Sequence, residues 1–210
     1  MPCGWEEMKP IFHKMSDGAY KKGNFLKLPP SFDIEKLQKA TNELFTKMSW
    51  KQHIVKGLCM TQIPGDPSSA DGDKLRGVFY TKPDSSGKEV KRENNIDESH
   101  YTEFVKDFEG TYFEEVYNKL SEKYILGRVR LLLIEPRTSL SWHRDPEPRI
   151  HIAIHTNPGA FLVIDDKLMN IPADGSVWFT DTRNYHGAFN GGEENRIHLV
   201  ATYLGEKNND

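Results

Sequence analysis

The sequence predicts a mainly β domain of the sandwich or jelly-roll kind, with helices in front of it. Two observations predict that class. The apolar period shifts from 3.6 to 2 at Ile125, and the roughly 80 residues that follow hold short alternating segments separated by turns, with no helical pattern between them. At 210 residues the chain is read as a single domain (1–210), with an arm, helices and peripheral strands over 1–124 and a jelly-roll core over 125–210. A domain of this size buries roughly 70% of its unfolded surface, enough to enclose a polar site.

The first 32 residues are punctuated by Gly18, Gly23, Pro29 and Pro30 and read as an irregular arm with a short strand. Ile34, Leu37, Ala40, Leu44, Phe45 and Met48 fall at helical spacing behind Ser31 or Asp33, either of which can cap. His53–Ile63 and Arg76–Thr81 read as strands about the turn-rich Pro64–Gly72. Residues 82–99 read as a polar surface loop with almost nothing to bury. Phe104, Phe108, Phe113, Val116 and Leu120 predict a second helix over His100–Tyr124, weakened at Gly110. The β segments are Leu126–Glu135, Arg149–His155, Phe161–Ile164, Leu168–Ile171, Ser176–Phe179 and Arg196–Leu204.

Composition excludes several functions. The net charge of −3 and the lack of a basic stripe disfavour a nucleic-acid partner. Mean hydropathy is −0.66 and no apolar run approaches 18 residues, so no membrane span and a cytoplasmic location are expected. Two cysteines, Cys3 and Cys59, cannot build a disulfide framework or a Cys-rich zinc site. Histidine is distributed unevenly: five of eight lie within residues 143–198, where an even spread puts about two.

His143 and Asp145 are two apart, so in extended chain both point to one side and can share a metal. His186 would complete a two-histidine, one-carboxylate facial triad, whose opposite face stays open. Each of these residues alone is more often an ordinary strand-end side chain. Arg196 opens an otherwise apolar strand and shares a face with His198 and Val200, while Ile197, Leu199 and Ala201 take the other. Burying such an arginine is costly unless a carboxylate meets it, and a guanidinium binds a carboxylate through two parallel hydrogen bonds. The plainer reading is a salt bridge at the rim. Arg149, His151, Ala153 and His155 repeat the polar stripe opposite Ile150, Ile152 and Ile154.

Arg128–Pro136, His143-Arg144-Asp145, Arg149–Ile152, His155–Gly159, Gly175–Phe179, His186 and Arg196–Leu199 together resemble the aspartyl/asparaginyl β-hydroxylase family of Fe(II)- and 2-oxoglutarate-dependent oxygenases. The resemblance implies a double-stranded β-helix, with Fe(II) held by His143, Asp145 and His186 and the far carboxylate of 2-oxoglutarate paired with Arg196. It also places Arg149 and His151, and with them His198, along the cosubstrate pocket. One departure is Leu132, at a position where some relatives have a serine that helps hold the cosubstrate. That contact is lost or supplied elsewhere, with Arg130 the candidate. The retained Asp145 brings the chain nearer the small bacterial branch, which includes enzymes resembling free-proline hydroxylases.

The implied activity is hydroxylation of an unactivated C–H bond in an amino acid or a peptide or protein residue, consuming O₂ and releasing succinate and CO₂. Trp142, Trp178 and Phe179 are candidate wall residues, though such aromatics are more often core. Arg130, Arg144, Arg149 and Arg183 are the cations available to a substrate. The rival reading is a cupin-like jelly roll that binds a metal or small ligand without oxygenase activity, which gives no reason for Arg196. A third reading makes the histidines structural in an interaction module. Substrate identity and oligomeric state are not legible. The arm 1–32 and the loop 82–99 are expected to act as lids.

Overall fold

The computed structural model describes residues 23–48, 56–71, 81–91 and 96–207. Most of the expected arm, and the expected strand Arg76–Thr81 up to its last residue, lie outside them. The chain enters on β1 (Phe25–Ser31), whose register with its neighbour breaks between Leu28 and Ser31. Pro29 and Pro30 sit at that break; proline has no N–H to donate, so it suits an edge strand. Helix α1 (Ile34–Lys47) follows, with the Asp33 carboxylate accepting from Lys36 N–H at 3.1 Å and Leu37, Ala40, Thr41 and Leu44 buried. The junction docks through Phe32 N–H to Gly175 O at 2.9 Å. Gly175 has φ 79°, and a Cβ there would lie 1.8 Å from Phe32 O, so only glycine permits this approach.

Short strands β2 (Lys56–Cys59) and β3 (Thr61–Gln62) come next, then the hairpin β4 (Thr81–Pro83) and β5 (Glu89–Lys91). The span expected to be a loop over 82–99 thus holds this hairpin and runs into a 3₁₀ turn, Glu98–His100, whose Glu98 is buried. The long helix expected over His100–Tyr124 is also corrected. Strand β6 (Glu103–Phe104) and a 3₁₀ turn (Lys106–Phe108) precede α2 (Tyr112–Lys123). Gly110, at φ 70°, breaks the helical path, and its N–H donates to the Glu114 carboxylate at 2.7 Å. The aromatic spacing serves tertiary packing instead: Phe104 stacks on Tyr117 at 5.0 Å and Phe108 meets Phe113 edge-on at 5.8 Å.

The rest is β: β7 (Tyr124–Ile134), β8 (Thr138–Ser139), β9 (Arg149–His155), β10 (Ala160–Ile164), β11 (Lys167–Met169), β12 (Ser176–Thr180), β13 (His186–Asn190) and β14 (Arg196–Glu206). All six expected strands are present within a few residues, and β8 and β13 are additions. An antiparallel six-stranded sheet runs β1-β12-β9-β14-β7-β2, and a four-stranded sheet runs β11-β10-β13-β8. This is the predicted jelly-roll architecture, and the larger sheet takes both edge strands from before residue 125.

Register assigns the faces. Val129, Leu131, Leu133, Ile150, Ile152, Ile154, Val177, Phe179, Leu199 and Ala201 point to the helix side and pack with Leu37, Leu44, Phe113, Val116 and Leu120 in the main core. The inner face, toward the small sheet, is divided. Ile134, Ala153, Leu162, Ile164, Ile171 and Ala188 make an apolar cluster there. Arg130, Arg149, His151, Thr180, Arg196, His198 and Thr202 are buried polar residues on the same strands. Phe179 therefore belongs to the helix-side core, edge-on to Tyr203 at 5.3 Å, the commoner of the two readings its sequence allowed, and does not line the site. No described helix is long and apolar enough to cross a membrane.

Candidate metal centre and the buried arginine beside it

His143 and His186 come together through a two-residue bridge, His143 N–H to His186 O at 2.9 Å and His186 N–H to His143 O at 2.8 Å. Asp145 is placed by its N–H to Thr182 O at 2.9 Å. The three side chains converge: His143 Nε2 is 3.8 Å and His186 Nε2 3.7 Å from the Asp145 carboxylate, and the ligand atoms all lie within 4.8 Å of one another. The imidazole Nδ1 atoms face backbone carbonyls, Ser141 O for His143 and Asn184 O for His186. A carbonyl can only accept, so Nδ1 carries the proton and each Nε2 lone pair turns toward Asp145.

Burial pushes the Asp145 carboxyl up, but Arg149, His186 and His143 outweigh it and hold it below the usual carboxylate range. Burial pushes His186 down to about 4, against the pull of Asp145. A neutral His186 imidazole and the Asp145 carboxylate result, and with the imidazole of His143 they make the donor set of a facial triad. Backbone carbonyls orienting the histidines are the usual outer support of a metal site. The residues present thus fit a divalent metal ion.

Arg149 is ion-paired to the triad: Nη2 lies 3.3 Å from Asp145 Oδ2, and Nη1 lies 3.4 Å from Glu147 Oε2. Glu147, absent from the sequence reading, has its carboxyl pushed up by burial despite Arg149. His151 stays neutral, driven well below its ordinary value first by burial and then by Arg196, His186 and Arg149.

Arg196 is 3% exposed. Among the described residues no carboxylate pairs with it; its guanidinium donates from Nη2 to His198 Nδ1 at 2.9 Å. Burial alone pushes it down to about 9. An arginine so placed fits an anion that arrives from outside the chain.

The other expected site residues are dispersed. Trp142 is 53% exposed next to His143, its ring against Gly187, where a Cβ would lie 3.0 Å from Trp142 Cε3. Arg144 is buried with its guanidinium 4.8 Å from the centre of the Tyr185 ring. Trp178 lies opposite His151 in register and donates Nε1–H to Ser176 Oγ at 2.8 Å. Arg183 is held by Asp181 through Nε at 2.6 Å and Nη2 at 2.7 Å. Arg130 is pushed down to about 10 by burial and by Arg128, with Glu98 pulling the other way.

Glu98 and Arg128 were missed by sequence reasoning. Glu98 accepts from Arg128 backbone N–H at 2.9 Å and from Nε at 3.0 Å, and a further hydrogen bond comes from Nη2. Arg128 in an apolar strand was the available signal, since a buried guanidinium requires a carboxylate.

The family model described as Aspartyl/Asparaginyl beta-hydroxylase matches residues 111–204, which hold the triad, Arg149, His151, Arg196 and His198. No curated protein matches the chain. Among solved structures, an oxidoreductase of the 2OG-Fe(II) oxygenase family from Burkholderia pseudomallei aligns over 97% of this chain and 92% of its own, at 13% identity and TM-score 0.51. IDO from Bacillus thuringiensis aligns over 94% and 99%, at 12% identity and TM-score 0.49. The viral collagen prolyl hydroxylase of Paramecium Bursaria Chlorella virus-1 aligns over 89% and 98%, at 10% identity and TM-score 0.48. The first of these shows a shared fold.

Proposed function

From the resemblance of residues 111–204 to the aspartyl/asparaginyl β-hydroxylases, we propose that the chain is an Fe(II)- and 2-oxoglutarate-dependent hydroxylase of an amino acid or of a peptide or protein residue. When bound, Fe(II), 2-oxoglutarate and O₂ supply oxidative decarboxylation to succinate and CO₂, with one oxygen atom entering a C–H bond of the substrate. His143, Asp145 and His186 would hold the iron on one face and leave the other for the keto acid and O₂. Arg149 holds Asp145 ionised and oriented through its 3.3 Å contact. Arg196 would bind the far carboxylate of the keto acid in a charge-assisted contact, and the apolar cluster Ile134, Ala153, Leu162 and Ala188 keeps water from the inner face nearby.

One observation carries the reading: Arg196 is a buried guanidinium with no carboxylate among the described residues, on the same inner face as His151, which feels both Arg196 and His186. A metal-binding jelly roll of the cupin kind has no use for it. A zinc hydrolase activating water has none either. The rim-exposed Trp142 and the buried Arg144 beside it supply an apolar and a cationic group for a substrate. Succinate formation tests the proposal: Fe(II)-loaded protein with 2-oxoglutarate and pooled amino acids or peptides should release succinate, with a matching product one oxygen heavier by mass spectrometry. Keto-acid turnover absent from every pool, together with no binding of 2-oxoglutarate, would overturn it.

A further inference from the structure

Resting on the reading of His143, Asp145 and His186 as a metal site, we propose that Trp142 and Arg144 are its positioning residues. Seated on Gly187 and Tyr185, they lock the shift of register that sets His143 opposite His186. Strands β8 and β13 run antiparallel, with Thr138 facing Asn190 and Ser139 facing Phe189. Leu140 keeps step, its N–H donating to Ala188 O at 2.7 Å. Each residue further along this segment should meet one earlier on β13, which brings Trp142 to His186. The bridge instead joins His143 to His186. One extra residue is therefore taken up between Leu140 and His143, a bulge that sets Ser141 and Trp142 against Gly187 alone.

This slip decides whether the three ligands meet. Neighbouring residues of an extended chain face opposite ways, and Leu140 joins Ala188 in the inner-face cluster. In the unshifted register Trp142 would follow Leu140 inward and His143 would turn outward. With the bulge, His143 and then Asp145 turn inward beside His186, where their ligand atoms lie within 4.8 Å of one another.

The side chains on either side of His143 hold the slip in place. The Trp142 ring lies over Gly187, where a Cβ would stand 3.0 Å from Cε3 and 3.5 Å from Cζ3. A methyl group at that distance crowds the ring, so glycine leaves the seat open, and the indole occupies it although 53% exposed. On the other side of the bridge, the Arg144 guanidinium sits 4.8 Å from the centre of the Tyr185 ring. A cation is attracted to an aromatic face, the more so out of water, and Arg144 is buried. Residues 142–144 are thus matched in reverse order with 185–187, and the two histidines form the middle pair. The outer pairs grip the backbone that carries the ligands.

The test uses the full chain, metal-free and with Mn(II), without keto acid or substrate. Trp142→Ala and Tyr185→Leu should each weaken Mn(II) about 10- to 100-fold by calorimetry, the range for groups that orient metal ligands. Trp142→Phe and Tyr185→Phe, which keep a ring, should recover most of the loss. Gly187→Ala should weaken Mn(II) by itself and add little to Trp142→Ala, because the collision it creates is with the indole. In the metal-free protein, exchange of the bridging His143 and His186 amide protons should quicken about tenfold or more in Trp142→Ala, while that of Leu199 on β14 should not change. Unchanged Mn(II) affinity in both ring-removing variants, no recovery with phenylalanine, or equal quickening at Leu199 would overturn the positioning role. If the intact protein binds no Mn(II), the metal-site reading falls and this inference with it. Normal Mn(II) binding with unchanged amide exchange in Trp142→Ala overturns this inference alone.

Discussion

Arg196→Met should make the ligand-free protein more stable while removing its response to 2-oxoglutarate. Burial pushes Arg196 from 12.5 to about 9 with no carboxylate among the described residues to offset it. At about 1.4 kcal/mol per pKa unit, keeping the guanidinium charged costs at most on the order of 5 kcal/mol. The hydrogen bond to His198 and local relaxation recover part of this, so the expected gain is about 1–4 kcal/mol, as when buried charges elsewhere are replaced by apolar side chains of similar volume. For a chain of this size that corresponds to a rise of roughly 3–10 °C in Tm. Intact protein with Mn(II) should gain about 3 kcal/mol at 2-oxoglutarate near one hundred times Kd, and Arg196→Met should gain nothing. Thermal unfolding of both proteins, with and without 2-oxoglutarate, measures this directly. A variant that melts below the intact protein and keeps the 2-oxoglutarate shift would refute the reasoning: Arg196 would then be a structural cation with a partner of its own.

The remaining predictions concern the scaffold and the pH dependence of the fold. Glu98→Gln should destabilise by about 3–5 kcal/mol in urea unfolding at neutral pH, because it leaves Arg128 buried beside a neutral amide. Arg128 outweighs the burial that pushes the Glu98 carboxyl up, and holds it at about 2 against 4.5 unfolded. Its contribution of about 3 kcal/mol is thus complete above pH 4.5 and lost as pH falls toward 2. The gap between intact protein and Glu98→Gln should narrow over that window, and a constant gap would contradict the pairing. Gly175→Ala should lower Tm by several degrees, since its Cβ would collide with Phe32 O at a positive φ; an unchanged Tm would show that the β1–α1 junction docks elsewhere.

Much of this site was legible because strands declare their faces. The alternation in Arg149–His155 and Arg196–Ala201 placed Arg149, His151, Arg196 and His198 on one side and the isoleucines and leucines on the other, and the register bears that out. Strand β13 was not legible: His-Gly-Ala-Phe-Asn has no clean alternation, and it forms because β10 and β8 pair on either side of it. The helix expected over His100–Tyr124 was overextended because Phe104 and Phe108 mimic helical spacing, while the positive φ at Gly110 redirects the chain. Glu98 was hidden by its polar surroundings in sequence, since only the fold brings it against Arg128, thirty positions later.

The central claim is that His143, Asp145 and His186 form a metal site at which a 2-oxo acid chelates. Its most direct test is visible absorption under anaerobic conditions, with Fe(II) and 2-oxoglutarate added to the purified protein. The intact protein should show the weak charge-transfer band of an iron-chelated keto acid, and Asp145→Ala should show none. An intact protein without the band, or a band that survives in Asp145→Ala, would contradict it.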